Sequence, residues 1–301
     1  MHTKHWQHIL QALTGGDIQA LSRCISLVEN EVPGYEGMLF NLPASNQPVI
    51  GITGAPGAGK STLTDGLIEE LINHDKRVAV LCVDPSSPFS RGALLGDRLR
   101  MSTWYNHPSV YIRSVASRGA LGGLSPAIIE VTDVIKAAPF DYIFIETVGV
   151  GQNEVEIAAL ADITVVVYVP EAGDEVQTMK AGLTEIADIF VVNKADRPGA
   201  HQFAHNLQTL VAHQQKKISV IKTIATQKEG VSLLFEEITK KEQAISKQES
   251  KIKLLAGRAY QLIQRSRMKD VTRDILEEAI QEQYSNHHFN IYRFAAQYVI
   301  K

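Results

Sequence analysis

The residues best suited to chemistry begin at Gly54. Gly54-Ala55-Pro56-Gly57-Ala58-Gly59-Lys60-Ser61 satisfies the pattern G-x-x-x-x-G-K-[ST] in full, and Thr62 follows it. An apolar β-branched run ends at Thr53 and a helical pattern opens near Lys60, so the motif stands between a strand and a helix, the context its chemistry requires. Glycines let the backbone curl until successive N–H groups face phosphate oxygens, helped by the partial positive charge of the helix N-terminus. In such a loop Lys60 reaches the β- and γ-phosphates and the Ser61 hydroxyl ligates Mg²⁺. These residues predict a nucleotide site.

A second pattern names the base. Asn193-Lys194-Ala195-Asp196 closes another apolar run. A carboxylate at Asp196 can accept from both the ring N–H and the exocyclic amine of guanine. Adenine lacks that donor pair and would leave the acid unpaired. Lys194 would lay its aliphatic stem along the base, and Asn193 would tie this loop to the phosphate loop. Further on, an apolar run leads into Ile224-Ala225-Thr226, where a backbone N–H could donate to the guanine carbonyl.

Acids at other strand ends supply the metal site. Asp84 ends Val78–Val83, and Glu146 ends Tyr142–Ile145. A carboxylate at the carboxyl edge of a strand beside a phosphate loop fits a ligand of Mg²⁺ or of its water. Asp97, in a loop-like stretch, is a further ligand candidate. Gly149, just beyond Glu146, would give its N–H to the γ-phosphate and sense its presence. Val150 occupies the place where Ras-like enzymes carry the water-orienting glutamine, with Gln152 beyond it. The expectation is slow unaided hydrolysis, with a partner or dimer contact completing the site.

The elements that must position these groups are legible in the rhythm of the chain. Short apolar runs at Pro48–Thr53, Val78–Asp84, Val110–Val115, Tyr142–Glu146, Ile163–Val169, Ile189–Asn193 and Ile218–Thr223 alternate with helical stretches. Most are apolar throughout, as strands covered on both faces are. The last, with Ser219 and Lys222, reads as an edge. In Lys60–Asn73, Leu63, Leu67 and Leu71 recur at helical spacing. The pattern predicts an α/β fold with a doubly wound, mostly parallel sheet over residues 47–240. Residues 1–46, with Leu10, Leu13, Ile18, Leu21 and Ile25, predict a helical N-terminal extension. Residues 241–301, where an apolar stripe runs through Ile252, Leu255, Leu262 and Ile263, predict a helical arm that needs a partner surface.

The whole sequence bounds the function. With 30 basic and 33 acidic residues, a net charge of −3 argues against nucleic-acid binding driven by charge. Its 2 cysteines, Cys24 and Cys82, exclude a disulfide framework and fit a reducing compartment. No apolar run approaches the ~18 residues of a membrane span, and Met1–Trp6 lacks the character of a signal or transit peptide. The expectation is a cytoplasmic protein with no membrane partner.

In order along the chain, Gly54–Thr62, Asp84-Pro85-Ser86-Ser87, Leu95-Gly96-Asp97-Arg98, Glu146-Thr147-Val148-Gly149-Val150-Gly151-Gln152, Gly173-Asp174-Glu175 and Asn193–Asp196 resemble the MeaB/ArgK family of GTPases. The resemblance implies a homodimeric, Mg²⁺-dependent G-protein chaperone. Such a protein gates adenosylcobalamin loading of methylmalonyl-CoA mutase, or a related acyl-CoA mutase, and protects it from inactivation. It implies a phosphate–Mg²⁺ site of Lys60, Ser61, Asp84, Asp97 and Glu146, with GTP or GDP bound, and a base pocket of Asn193 and Asp196. Glu171–Lys180, Ser90–Asp97 and Gly149–Asn153 would be mobile segments, and the C-terminal arm would dimerise. One departure is Ile224, which stands where the family commonly has serine before the alanine of the base-binding turn; Ala225 is kept, and by the resemblance its backbone N–H would still contact the base.

The rival from another class is a P-loop kinase passing the γ-phosphate to a small metabolite or protein. A kinase needs an acceptor pocket with a general base, and the sequence shows no separate lid or acceptor motif. Older naming links the family to arginine/ornithine transport, and nothing in these residues supports a transporter. Arg91, Arg98, Arg113 and Arg118 are candidates for a transition-state cation supplied in cis.

Overall fold

The computed structural model describes residues 3–84, 101–116, 126–147, 157, 160–170, 183–212, 217–245, 248–268, 270–284 and 289–299; for some of these, Asp84 and residues 248–254 among them, it describes the backbone alone. Among the described residues seven strands form one sheet with every pairing parallel. They are β1 (Val49–Gly54), β2 (Val78–Asp84), β3 (Val110–Ala116), β4 (Tyr142–Thr147), β5 (Ile163–Tyr168), β6 (Ile189–Val192) and β7 (Ser219–Lys222), in the spatial order β3-β2-β4-β1-β5-β6-β7. All the apolar runs read from the sequence became strands, with small shifts at their ends. β1, β4, β5 and β6 are buried along their whole length. β7, where Ser219 and Lys222 interrupt the apolar run, is the half-exposed edge.

The helices are α1 (Thr3–Thr14), α2 (Ile18–Glu29), α3 (Tyr35–Leu39), α4 (Lys60–Asn73), α5 (Pro126–Lys136), α6 (Leu183–Ile186), α7 (Ala200–Ala212), α8 (Val231–Ile245), α9 (Gln248–Arg267), α10 (Arg273–Tyr284) and α11 (Ile291–Val299). One sheet face, with Ile50, Ile52, Phe144, Val165 and Val167, is covered by Leu63, Leu67 and Leu71 of α4 and by Leu234 and Ile238 of α8. Opposite, α1, α2, α3 and α5 cover β2, β3 and β4, and α7 covers β5 and β6. Side chains that alternate along a strand point to opposite faces, so each buried strand feeds both cores.

The apolar spacing near the N-terminus yields two helices. Gly15-Gly16-Asp17 breaks the pattern: Gly16 has φ +88°, and Asp17 caps α2 by accepting from Gln19 and Ala20 N–H at 2.7 and 3.0 Å. Leu13, Leu21 and Ile25 are wholly buried, and the core they belong to is continuous with that of the sheet. By compactness the chain divides into Met1–Leu254 and Leu255–Lys301. In the second unit Phe294 is buried beside Phe289 and Tyr298, while Tyr260, Ile263, Met268, Ile275 and Tyr292 are exposed. Among the described residues no helix is long and apolar enough to cross a membrane.

The sheet's register is pinned at its amino edge by a repeated device. An aspartate stands immediately before β4, β5 and β6, as Phe140-Asp141-Tyr142, Ala161-Asp162-Ile163 and Ala187-Asp188-Ile189. Asp141 accepts the N–H of Arg77 at 2.8 Å, Asp162 that of Val49 at 2.9 Å and Asp188 that of Thr164 at 2.8 Å. The N–H of each aspartate donates back to the carbonyl of the same partner, at 2.8, 2.7 and 2.9 Å. Each closed ring fixes one strand against its neighbour, and the carboxyl ends are thereby aligned on the opposite edge.

Candidate functional site

The site lies on that carboxyl edge. β4 and β5 flank β1 on either side, and in sheets wound this way ligands bind beyond the carboxyl ends of the central strands. Gly54 ends β1 with φ +141°, and a Cβ there would lie 2.1 Å from the carbonyl oxygen of Val167 in β5. Gly59 has φ +89°, and its Cβ would lie 2.4 Å from Asn193 Nδ2. Only glycine permits both this backbone and this approach.

Lys60 and Ser61, with Thr62, open α4. Lys60 is buried, and its Nζ donates to Gly54 O at 2.8 Å and to Ala55 O at 3.0 Å, which places the ammonium under the loop. Ser61 Oγ donates to Glu146 Oε1 at 2.6 Å, and Glu146 is itself buried in β4. Thr64 Oγ1 lies 3.0 Å from Glu146 Oε2. Thr147 Oγ1 donates to Thr53 Oγ1 at 3.0 Å, tying β4 to β1 just short of the loop.

Ser61 and Glu146 fit Mg²⁺ by chemistry and placement: both present hard oxygens, side by side, buried at the base of the phosphate loop. Among the described residues no cluster of three acidic, histidine or cysteine side chains forms a cage of its own. That suits an ion which commonly takes one or two protein ligands and completes its shell with phosphate and water.

On the base side Asn193, buried at the end of β6, joins three segments. Its Nδ2 donates to Ala58 O at 2.8 Å, and its Oδ1 accepts from Thr223 Oγ1 at 3.0 Å and from Ala225 N–H at 3.1 Å. Lys194, with φ +55°, donates from Nζ to Gly57 O at 2.8 Å. Ala195 N–H donates to Thr223 O at 3.0 Å, and Arg197 N–H closes the turn onto Lys194 O at 3.0 Å. Asp196 is exposed on that turn. The Ala225 N–H, read from the sequence as a donor to the base, is engaged by Asn193 in this structure.

The structure thus brings together residues 54–62 with Glu146, Asn193, Lys194, Asp196 and Ala225 on one edge. Asp84 ends β2 on the same edge, though its side chain lies outside the described residues. Asp97, Gly149, Val150 and Gln152, the segments expected to be mobile, and Arg91, Arg98 and Arg118 also lie outside them. Arg113 is engaged elsewhere, by Glu29 and by Ser26 of α2. Sequence reasoning missed Thr64, Thr223 and the Thr53–Thr147 pair. The available signal was a polar side chain at a position that the strand or helix pattern buries.

A family model described as methylmalonyl Co-A mutase-associated GTPase MeaB matches residues 21–284. A protein of Pyrococcus horikoshii, whose name places it among GTPases, is 47% identical over 240 residues, which is 76% of this chain and 75% of that one. The fused isobutyryl-CoA mutase of Geobacillus kaustophilus is 40% identical over 211 residues, covering 66% of this chain and 19% of that protein. Among solved structures, a LAO/AO transport system kinase has a TM-score of 0.68 at 22% identity, covering 99% of this chain and 98% of its own. That last likeness is one of fold.

Proposed function

Because this chain belongs to the MeaB family of methylmalonyl-CoA mutase-associated GTPases, we propose that its hydrolysis of GTP to GDP and phosphate is a conformational switch acting on a cobalamin-dependent acyl-CoA mutase. The observation that carries the switch reading is Asn193: one buried side chain joins the phosphate loop, the end of β7 and the Ala225 turn. A change at the phosphates is therefore felt on the base side through a single contact network.

In this reading the backbone N–H groups of residues 54–62 and the Lys60 ammonium hold the phosphates. Asp196 selects guanine by accepting from its paired donors. Ser61 and Glu146 hold Mg²⁺, with Asp84 and Asp97 as further ligands. When bound, the ion neutralises charge on the β- and γ-oxygens. Gly149 N–H meets the γ-phosphate. A partner or dimer contact completes the site for fast hydrolysis.

The client is methylmalonyl-CoA mutase or a related acyl-CoA mutase, whose adenosylcobalamin loading the GTPase gates and whose active form it protects. A relative fused to isobutyryl-CoA mutase supports a mutase as partner. Exposed Tyr260, Ile263, Ile275 and Tyr292 on the C-terminal unit support homodimerisation through the arm.

Two measurements test this. Labelled γ-phosphate is expected to appear as inorganic phosphate, whereas its transfer to an added acceptor would make the protein a kinase. Immobilised protein loaded with a non-hydrolysable GTP analogue or with GDP is expected to retain a purified cobalamin-dependent mutase differently in the two states. Equal retention in both, or none in either, refutes the switch.

A further inference from the structure

Thr64 belongs to no nucleotide-binding motif, yet it is fully buried one turn into α4, facing Glu146. Its Oγ1 lies 2.9 Å from Lys60 O and 3.0 Å from Glu146 Oε2. A hydroxyl carries one proton, so these acceptors share it. The contact to Lys60 is the usual bond of a helical threonine to the carbonyl one turn back. The contact to Glu146 is not required by the helix. It reaches a carboxylate only 4% exposed, whose other oxygen accepts from Ser61 Oγ at 2.6 Å.

We propose that Thr64 is a positioning residue for the divalent cation: its hydroxyl holds Glu146 Oε2 and so keeps the carboxylate plane turned toward Ser61. The inference rests on reading Ser61 and Glu146 as the protein ligands of that cation. Ser61 has two tasks in this reading, as ligand and as donor to Glu146, whereas Thr64 has only the second. The terminal torsion of glutamate is soft, so losing the bond at one oxygen loosens the orientation of the carboxylate plane. A hydrogen bond behind a metal ligand sets that ligand's orientation and basicity, and its loss typically weakens metal binding by about 10–100-fold.

The test uses the full chain loaded with GDP and titrated with Mn²⁺, free Mn²⁺ being read by its paramagnetic resonance signal. Thr64→Val keeps the β-branched shape and removes the hydroxyl; Thr64→Ser keeps the hydroxyl. Thr64→Val is expected to weaken Mn²⁺ binding about 10–100-fold, with GDP affinity in EDTA within about twofold of the parent and Thr64→Ser within about threefold for Mn²⁺. Unchanged Mn²⁺ affinity in Thr64→Val overturns the proposal, as does an equal loss in Thr64→Ser, which would assign the effect to packing. If Thr64→Val does not fold, Thr64→Ala takes its place against Thr64→Ser under the same criteria. A parent protein that binds GDP but no Mn²⁺ would overturn the cation-site reading itself, and this inference with it.

Discussion

Replacing Asn193 with aspartate would keep the side chain's size and its acceptor oxygen while removing its donor. That oxygen would still accept from Thr223 Oγ1 and Ala225 N–H, but a second oxygen would stand where Nδ2 now donates to Ala58 O at 2.8 Å. The lost bond is worth about 1 kcal/mol, and setting the Ala58 carbonyl against a buried carboxylate, whose charge must also be desolvated, adds at least about 2 kcal/mol. All of these contacts are internal to the protein, so the total of at least about 3 kcal/mol divides between two observables. Where the loops stay together, it lowers the free energy of unfolding. Where they part, nucleotide must bring them together again, and about 3 kcal/mol lost there raises Kd by ~150-fold. The assay is a titration with a fluorescent GDP analogue beside denaturant unfolding of the same preparation. The two losses are expected to sum to at least about 3 kcal/mol. A sum below about 1 kcal/mol would refute the idea that Asn193 holds the phosphate loop to the base loops.

Gly59→Ala would set a Cβ 2.4 Å from Asn193 Nδ2 at φ +89°, whereas Gly57→Ala, at φ +75°, meets nothing within 4 Å. Nucleotide affinity is expected to fall far more in the first, by at least ~10-fold relative to the second, since only it adds a clash to the strain. Asp162→Ala unpairs the Val49 N–H at the amino edge and is expected to lower the unfolding free energy by about 1–2 kcal/mol; an equal loss of nucleotide affinity would contradict the separation of the two edges.

Burial, then the hydrogen bond to Glu242 and its charge, push the Tyr142 phenol up to about 12. The folded state therefore holds that proton more tightly, and the stabilisation is present below the unfolded pKa near 10 and lost as pH rises through about 12. The advantage of the parent over Tyr142→Phe in unfolding free energy is expected to shrink by up to about 2 kcal/mol over that window; a constant difference would refute it. Burial also raises the Cys24 thiol to about 11, with Arg23 opposing. Since Cys82 is buried too, a disulfide reagent at pH ~8 is expected to label the native protein slowly and the unfolded protein at both thiols.

Where the pattern was local, the sequence alone sufficed in all but one place. The apolar runs became the strands, Ser219 and Lys222 marked the edge, and Leu63, Leu67 and Leu71 became the buried stripe of α4. The phosphate loop and the Asn193–Asp196 turn were legible because each is a short motif whose spacing is its chemistry. The break at Gly16-Asp17 was equally local, but the apolar spacing ran across it and concealed the cap. Tertiary structure alone decided what those motifs touch. That Asn193 reaches Ala58, Thr223 and Ala225, that Thr64 shares its proton with Glu146, and that Gly59 has no room for a Cβ all depend on which strands lie side by side. The same holds for Asp141, Asp162 and Asp188, a repeated aspartate before a strand that acquires meaning only once the sheet order supplies each with a neighbour. Hydrophobic periodicity encodes which face of an element is buried. It carries no label for the partner, so contacts between residues distant along the chain come into being only when the sheet is assembled.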